Sequence, residues 1–282
     1  MPLLAACAEK QVSITSTTTS ATTSTTIEEK PHVLVAVGDI ACSQAQKKSA
    51  SSDECQEARV ADLIRSINPE QIILLGDIQY NSGDEFVETF QPLWSDLIEK
   101  SYPVLGNHEY ESPNAEGFFD FFGYIPEQGY YSFDAGEARV FALNTNCYDI
   151  DCDEEAFWFQ TTVAAFNGDC AIAVGHHPRY SSGAHGDTPE IEELYSVMID
   201  NKVDLYISGH DHHYEYIDAP VPQIVAGTGG RSLRGSANGI AEYGVVKIVI
   251  YDDYITTEFV SVDGQVLDTN QIICNNVLPE VD

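Results

Sequence analysis

From Pro31 onward the chain repeats one pattern: a short aliphatic and β-branched run ends in a tight polar turn, and an amphipathic stretch often follows. The runs at 32–37, 71–75, 102–105, 139–143, 170–174 and 203–207 are short and mostly aliphatic or β-branched, as buried strands are. Between the first two, Val60, Leu63, Ile64 and Ile67 fall at i, i+3, i+4 and i+7, the stripe of a one-faced helix over 53–67. Segments 84–100 and 189–201 read the same way, and Pro92 must end or kink the former unless it lies near its start. Strand–helix alternation of this kind predicts α/β architecture. The last third changes character: 223–226, 244–251 and 254–260 are strand-like and joined by short turns, which implies antiparallel pairing. No second linker and no internal repeat interrupts residues 31–282, so they are expected to form one domain.

Residues 1–30 break the pattern. Twelve of the fourteen residues from Ser13 to Thr26 are Ser or Thr. Such a run cannot bury enough apolar surface to offset its conformational entropy, and it reads as a disordered tether. Ahead of it, Leu4-Ala5-Ala6-Cys7 resembles a bacterial lipobox, in which the cysteine becomes the lipid-modified first residue. Only a stub of the apolar h-region precedes Cys7, so the natural start is expected upstream. No apolar run approaches the ~20 residues of a membrane-spanning helix. The other six cysteines permit fifteen pairings. Proximity favours Cys42–Cys55 and Cys147–Cys152, which leaves Cys170–Cys274. None has zinc-like spacing, so a disulfide framework and an oxidising compartment are expected. The protein would then be exported, as a cell-surface or periplasmic lipoprotein or in secreted form.

Charge narrows the partners. The chain holds 45 acidic and 13 basic residues, a formal net charge of −32. Over most of its surface it should repel nucleic acid and anionic lipid.

The chemistry sits where the strands end. The turns read Gly38-Asp39, Gly76-Asp77-Ile78-Gln79-Tyr80, Gly106-Asn107-His108-Glu109, Gly175-His176-His177 and Gly209-His210-Asp211-His212. In each a glycine precedes the first polar residue, and functional groups of open α/β sheets gather beyond the carboxyl ends of strands. One Gly-Asp turn is commonplace; five polar strand-end turns carrying seven of the eight histidines in or beside them are not. Two carboxylates, a carboxamide oxygen, a possible phenolate and three imidazoles from these turns form a hard-to-borderline donor set without thiolate, suited to Fe, Mn or Zn. Seven donors exceed one four-coordinate zinc and suit two adjacent metals that share a bridging carboxylate.

With these turns in this order and Tyr80 three residues after Asp77, the sequence resembles the calcineurin-type metallophosphoesterases. It resembles most the small single-domain purple acid phosphatases, from about Val33 to the C-terminus. His176-His177-Pro178-Arg179-Tyr180 followed by Gly183-Ala184-His185-Gly186 adds to the likeness. The resemblance implies a sandwich of two mixed β-sheets flanked by helices. It implies a binuclear centre in which Asp39, Tyr80 and His212 hold Fe(III), Asn107, His176 and His210 hold a divalent Fe, Zn or Mn, and Asp77 bridges. The resemblance makes His176 the ligand, since the family's ligand is the histidine directly after the strand-end glycine, with His177 a neighbour and His213 a bystander.

The activity implied is hydrolysis of small phosphate monoesters by in-line attack of a metal-bound hydroxide, with His108 and His185 serving the leaving group. Asp211 and Glu109 are expected to support the turns, and loop 81–83 to shape the pocket. Arg231 and Arg234 read as ordinary surface arginines, with reception of an anionic substrate as the alternative. Two other functions stay open: an exported nucleotidase or phosphodiesterase of the same fold, and a non-catalytic metal- or phosphate-binding surface module.

Overall fold

Strand β1 (His32–Val37) turns Leu34 and Ala36 to one side and Val35 and Val37 to the other, and all four are fully buried. Alternation puts successive side chains on opposite faces, so a strand buried on both must lie inside a layered structure. The computed structural model describes residues 31–49, 54–80 and 85–274. The expected tether, Cys7 and loop 81–83 lie outside the described residues.

The elements follow in the order β1, α1 (Gln44–Ser49), α2 (Glu57–Ile67), β2 (Gln71–Leu74), α3 (Gln91–Trp94), β3 (Ser101–Pro103), α4 (Glu116–Phe121), β4 (Tyr131–Ala135) and β5 (Ala138–Ala142). Then come α5 (Cys152–Ala164), β6 (Cys170–Val174), α6 (Glu192–Asp200), β7 (Leu205–Ser208), β8 (Tyr214–Ile217), β9 (Gln223–Ala226), β10 (Gly244–Ile250), β11 (Tyr254–Ser261) and β12 (Val266–Ile273). The first sheet has the order β12-β11-β10-β1-β2-β3, with β1, β2 and β3 parallel and the other three antiparallel. The second has the order β4-β5-β6-β7-β9-β8, four parallel strands edged by antiparallel β4 and β8.

Between the sheets, Leu34, Ala36 and Ile73 of the first meet Val140, Ile172, Val174 and Ile207 of the second. Outside the first sheet, Val35, Ile72 and Leu74 pack with Val60 and Ile64 of α2 and with Phe86, Phe90, Trp94 and Phe118. Outside the second, Phe141, Ala171 and Tyr206 pack with Phe159 and Val163 of α5 and Leu194 and Met198 of α6. The result is the expected sandwich of two mixed sheets flanked by helices.

All three expected cysteine pairings form, the two favoured by proximity and the one they leave. Cys170 opens β6 in the second sheet and Cys274 follows β12 in the first, so a bridge across 104 residues ties the sheets together.

Some elements differ from expectation. Segment 84–100 is not one helix: a widened turn at Phe86–Phe90 runs into α3, and a 3-10 turn covers Ile98–Lys100. Pro92 sits in the first turn of α3, where a missing N–H costs least, and so marks a new start. Helix α2 begins at Glu57 rather than at 53, because the Gln56 N–H donates to Gly230 O (2.8 Å) and Cys55 is held in its disulfide. Segment 189–201 is a tight turn at Pro189–Ile191 followed by α6. Helix α5 escaped sequence reading because its apolar residues form no single stripe; Phe157 is 72% exposed. Strand β12 escaped it too: an edge strand needs few apolar residues, and its centre reads Asp-Thr-Asn-Gln.

Candidate metal centre

The five turns leave β1, β2, β3, β6 and β7, and backbone hydrogen bonds lace them together. Asp39 N–H donates to Gly76 O (3.1 Å), Gly175 N–H to Ile207 O (3.1 Å) and Gly209 N–H to His176 O (2.9 Å). Three of the turn residues lie in the left-handed region: Asp39 at φ 61°, Asp77 at φ 47° and His210 at φ 69°. For a residue with a Cβ this costs on the order of 1 kcal/mol and persists only where surrounding contacts dictate it. Gly106 must lack a side chain, since a Cβ there would overlap the Asp77 carboxylate. Gly76, at φ 80°, would drive a Cβ to 2.7 Å from His176 Nδ1.

The seven sequence-predicted donors come together. Tyr80 Oη donates to Asp39 Oδ1 (2.7 Å) and lies 3.0 Å from His212 Nε2, which is 3.2 Å from Asp39 Oδ1. His176 Nε2 lies 3.3 Å from both Asp77 Oδ1 and Asn107 Oδ1, and 3.2 Å from His210 Nδ1. Carbonyl oxygens fix the ring faces: Leu75 O takes His176 Nδ1–H and Ser232 O takes His212 Nδ1–H, each at 2.7 Å, so both Nε2 atoms face inward.

Electrostatics show why this set fits a cation. Asp39, Asp77 and His176 are buried to 0%, 2% and 0% exposure, and bare carboxylates are costly there. Burial raises the Asp39 carboxyl, but His212 and His176 outweigh it and hold its pKa low; His176 and His108 do the same for Asp77. Burial lowers the His176 imidazole, yet Asp77 and Asp39 lift it to about 9. His210, buried beside His176, falls to about 4. Burial and the two carboxylates push the Tyr80 phenol well up, so a phenolate there requires a strong positive charge close by. The donors are oxygen and imidazole nitrogen only. A second cluster, Cys42, Cys55 and Glu57, offers no thiolate because its cysteines form a disulfide.

The outer histidines line the same pocket of about 180 Å3, with Gln46, Arg231 and Arg234. His108 Nδ1 lies 2.6 Å from Glu111 Oε1, which leaves Nε2 toward Asp77 Oδ2 at 3.8 Å. His185 Nε2 lies 2.8 Å from Arg234 Nη1. A guanidinium only donates, so His185 accepts through Nε2 and keeps its proton on Nδ1. The two arginines expected on the ordinary surface therefore stand at the pocket, which corrects the favoured reading of them. His177 sits against the centre, its ring 4.6 Å from His210, and burial lowers its pKa well below the ordinary value. His213 is fully buried away from the pocket lining and contacts Glu215 through Nε2 at 3.1 Å.

Sequence reading missed two supports and saw two more only faintly. Thr145, after β5, accepts the N–H groups of His176 (3.1 Å) and His177 (2.9 Å) and contacts His177 Nδ1 (3.1 Å). Asn146 ties that loop to β3 by donating to Leu105 O (3.0 Å). Glu109 is fully buried and accepts the N–H groups of Asp77, Ile78 and Gly106, which clamps two turns together. Burial and the nearby Asp77 raise its pKa to about 8. Asp211 accepts His185 N–H (2.9 Å) and the Ser181 hydroxyl. Nothing in an Asn-Thr-Asn turn signals that its hydroxyl serves residues thirty positions on.

Comparison with known proteins agrees with this arrangement. Residues 27–214 match the family described as calcineurin-like phosphoesterase. Purple acid phosphatase 17 of Arabidopsis thaliana is 24% identical over 240 residues, covering 71% of each chain. The alignments span between 58% and 71% of the length of the Arabidopsis relatives. Among solved structures, a purple acid phosphatase from yellow lupin seeds superposes with TM-score 0.69 at 19% identity, over 90% of this chain and 57% of that one. The inner-membrane-complex anchor protein of Plasmodium superposes with TM-score 0.64 at 20% identity, over 87% of this chain and 89% of that one. The match to the family covers more than half of the 282 residues, and the chain belongs to the calcineurin-like phosphoesterases.

Proposed function

We propose that this protein is a di-metal phosphatase that hydrolyses phosphate monoesters. The observation that carries the reading is the convergence of seven oxygen and nitrogen donors from five separate strand ends, two of them buried carboxylates matched by imidazoles. Asp39, Tyr80 and His212 are the set for one metal, Asn107, His176 and His210 the set for the other, and Asp77 stands between as the bridge. Fe(III) with a divalent Fe, Zn or Mn suits these donors. When bound, such a pair activates the attacking water and offsets charge on the phosphoryl oxygens.

The chain's own residues do the rest. Asn107 Nδ2 is free to donate to a phosphoryl oxygen while its Oδ1 faces His176. His185 carries its proton on Nδ1, which meets the leaving-group oxygen, and His108 Nε2 faces the same pocket. Glu111 contacts the His108 ring and Arg234 the His185 ring.

Residues 31–282 are the catalytic domain in this reading, with residues 1–30 a tether and Cys7 its lipid anchor. Three disulfides support export. The test is side-by-side kinetics of the two-metal protein on 4-nitrophenyl phosphate, bis(4-nitrophenyl) phosphate and adenosine monophosphate. The monoesters are expected to turn over fastest. Preference for the diester would move the protein to the phosphodiesterase alternative, and no turnover of any would leave a non-catalytic binding module.

A further inference from the structure

Six arginines occur in this strongly acidic chain. Four hold carboxylates: Arg59 with Asp263, Arg65 with Asp96, Arg139 with Asp134 and Arg179 with Glu192, all at 2.5–2.7 Å. Arg231 and Arg234 hold none among the described residues, although acidic side chains outnumber basic ones 45 to 13. Both line the metal pocket. Among the described residues the Arg231 side chain bonds only the neighbouring Ser232 hydroxyl (2.7 Å), its Nε is buried without a partner, and its guanidinium lies 5.3 Å from the Tyr80 ring centre. Arg234 is exposed and reaches the other side through His185, whose ring lies 4.4 Å from that of His210. The two charges thus line one pocket, one beside the Tyr80 ring and the other on His185.

The backbone that carries them is fixed to the same turns. Arg231 N–H donates to Asp39 O (3.0 Å) and Arg234 N–H to His212 O (2.9 Å). On the outer side Gln56 N–H donates to Gly230 O, next to the Cys42–Cys55 bridge. Guanidinium forks suit phosphate oxygens, and a rigid backbone spares much of the ordering cost of using them.

We propose that Arg231 and Arg234 form a clamp for a second phosphate on the leaving-group side, so that the site favours substrates with a phosphoanhydride over simple monoesters. The inference rests on the hydrolytic reading above and adds the substrate class. Attack by water forms a new P–O bond at the terminal phosphorus, and the P–O–P bond breaks. The bridging oxygen departs on the second phosphate with its electron pair, and the proton lost by water goes to that phosphate or to solvent. In that arrangement the guanidinium charges offset the negative charge that grows on the departing phosphate.

The test compares full-length, metal-loaded wild type with Arg231→Gln/Arg234→Gln. Calorimetry measures affinity for methylenediphosphonate and for methylphosphonate, and kinetics use pyrophosphate and 4-nitrophenyl phosphate. The wild-type preference for the diphosphonate is expected to shrink about 30-fold in the double variant. The loss of kcat/KM on pyrophosphate should exceed that on 4-nitrophenyl phosphate by a similar factor. Arg234→Gln alone, at an exposed position, should show about 5-fold. Equal losses on both substrates, or an unchanged diphosphonate preference, overturn the clamp. Absent turnover by wild type overturns the hydrolytic reading instead, and the binding ratio still decides the clamp.

Discussion

A cavity of about 470 Å3 is lined by Tyr110, Phe119, Tyr130 and the carboxylates of Glu127, Asp149, Asp151 and Glu154. The candidate metal pocket holds about 180 Å3 and is lined by carboxylate, phenol, imidazole and guanidinium together. The larger space has one sign of charge and no cation in its lining. The smaller concentrates what folding ordinarily avoids: buried carboxylates, imidazoles displaced in both directions from their usual pKa, and three side-chain-bearing residues in left-handed backbone. Local rules broken together at one place, each held by its own hydrogen bonds, mark function better than volume does.

The contrast can be broken most directly by Asp77→Ala, which should lower kcat on 4-nitrophenyl phosphate on the order of 10^3-fold while the fold persists by circular dichroism. A loss below tenfold would remove the centre's claim to the chemistry.

The Cys170–Cys274 bridge ties the sheet that presents Asp39, Asp77 and Asn107 to the one that presents His176 and His210. Cys170→Ala/Cys274→Ala should cost about 4 kcal/mol of unfolding free energy, as closing a loop of this length implies, measured by denaturant titration. Thr145→Val should cost about 2 kcal/mol, since two buried N–H groups lose their acceptor, and should weaken metal binding about tenfold by competition with a chelator.

A subtler effect is pH dependence of the chelator-stripped protein. His176, raised from 6.5 to about 9, stabilises the fold fully below pH 6.5, and this is lost as pH climbs through 9. Glu109, raised to about 8, also loses its contribution as pH rises. Asp39 and Asp77, lowered from 3.8, contribute above that value and lose it as pH falls. His210, lowered to about 4, opposes Glu109 between 4.5 and 6.5. The thermal midpoint should therefore drop above pH 6.5 and below pH 3.8, and a midpoint rising from 6.5 to 9 would contradict the charge pattern. The smallest effect belongs to the larger cavity: Asp149→Asn/Glu154→Gln should change kcat/KM less than twofold and stability by under about 0.5 kcal/mol.

Much of the centre was legible because strands announce their ends. An apolar run followed by Gly and a polar residue shows where a side chain leaves the sheet, and five such places converge once the strands align. What sequence hid were contacts between distant backbone and side chains. Glu109 looks like any turn carboxylate until three N–H groups are seen pointing at it, and Thr145 like any loop hydroxyl. Arg231 and Arg234 looked like surface because exposure cannot be read from a Gly-Gly-Arg-Ser-Leu-Arg loop, and only the hydrogen bonds to Asp39 O and His212 O bring them to the pocket. The fold's misses were its weakly patterned parts: polar edge strand β12, helix α5 with apolar residues on several faces, and the broken run around Pro92.

Metal counting tests the central claim most directly. Purified wild type should carry two metal ions per chain, and Asp77→Ala, which removes the carboxylate proposed as the bridge, fewer than one. Wild type that retains at most one after supply of iron and zinc, or Asp77→Ala that still holds two, would contradict the assignment of these seven side chains to a shared two-metal centre.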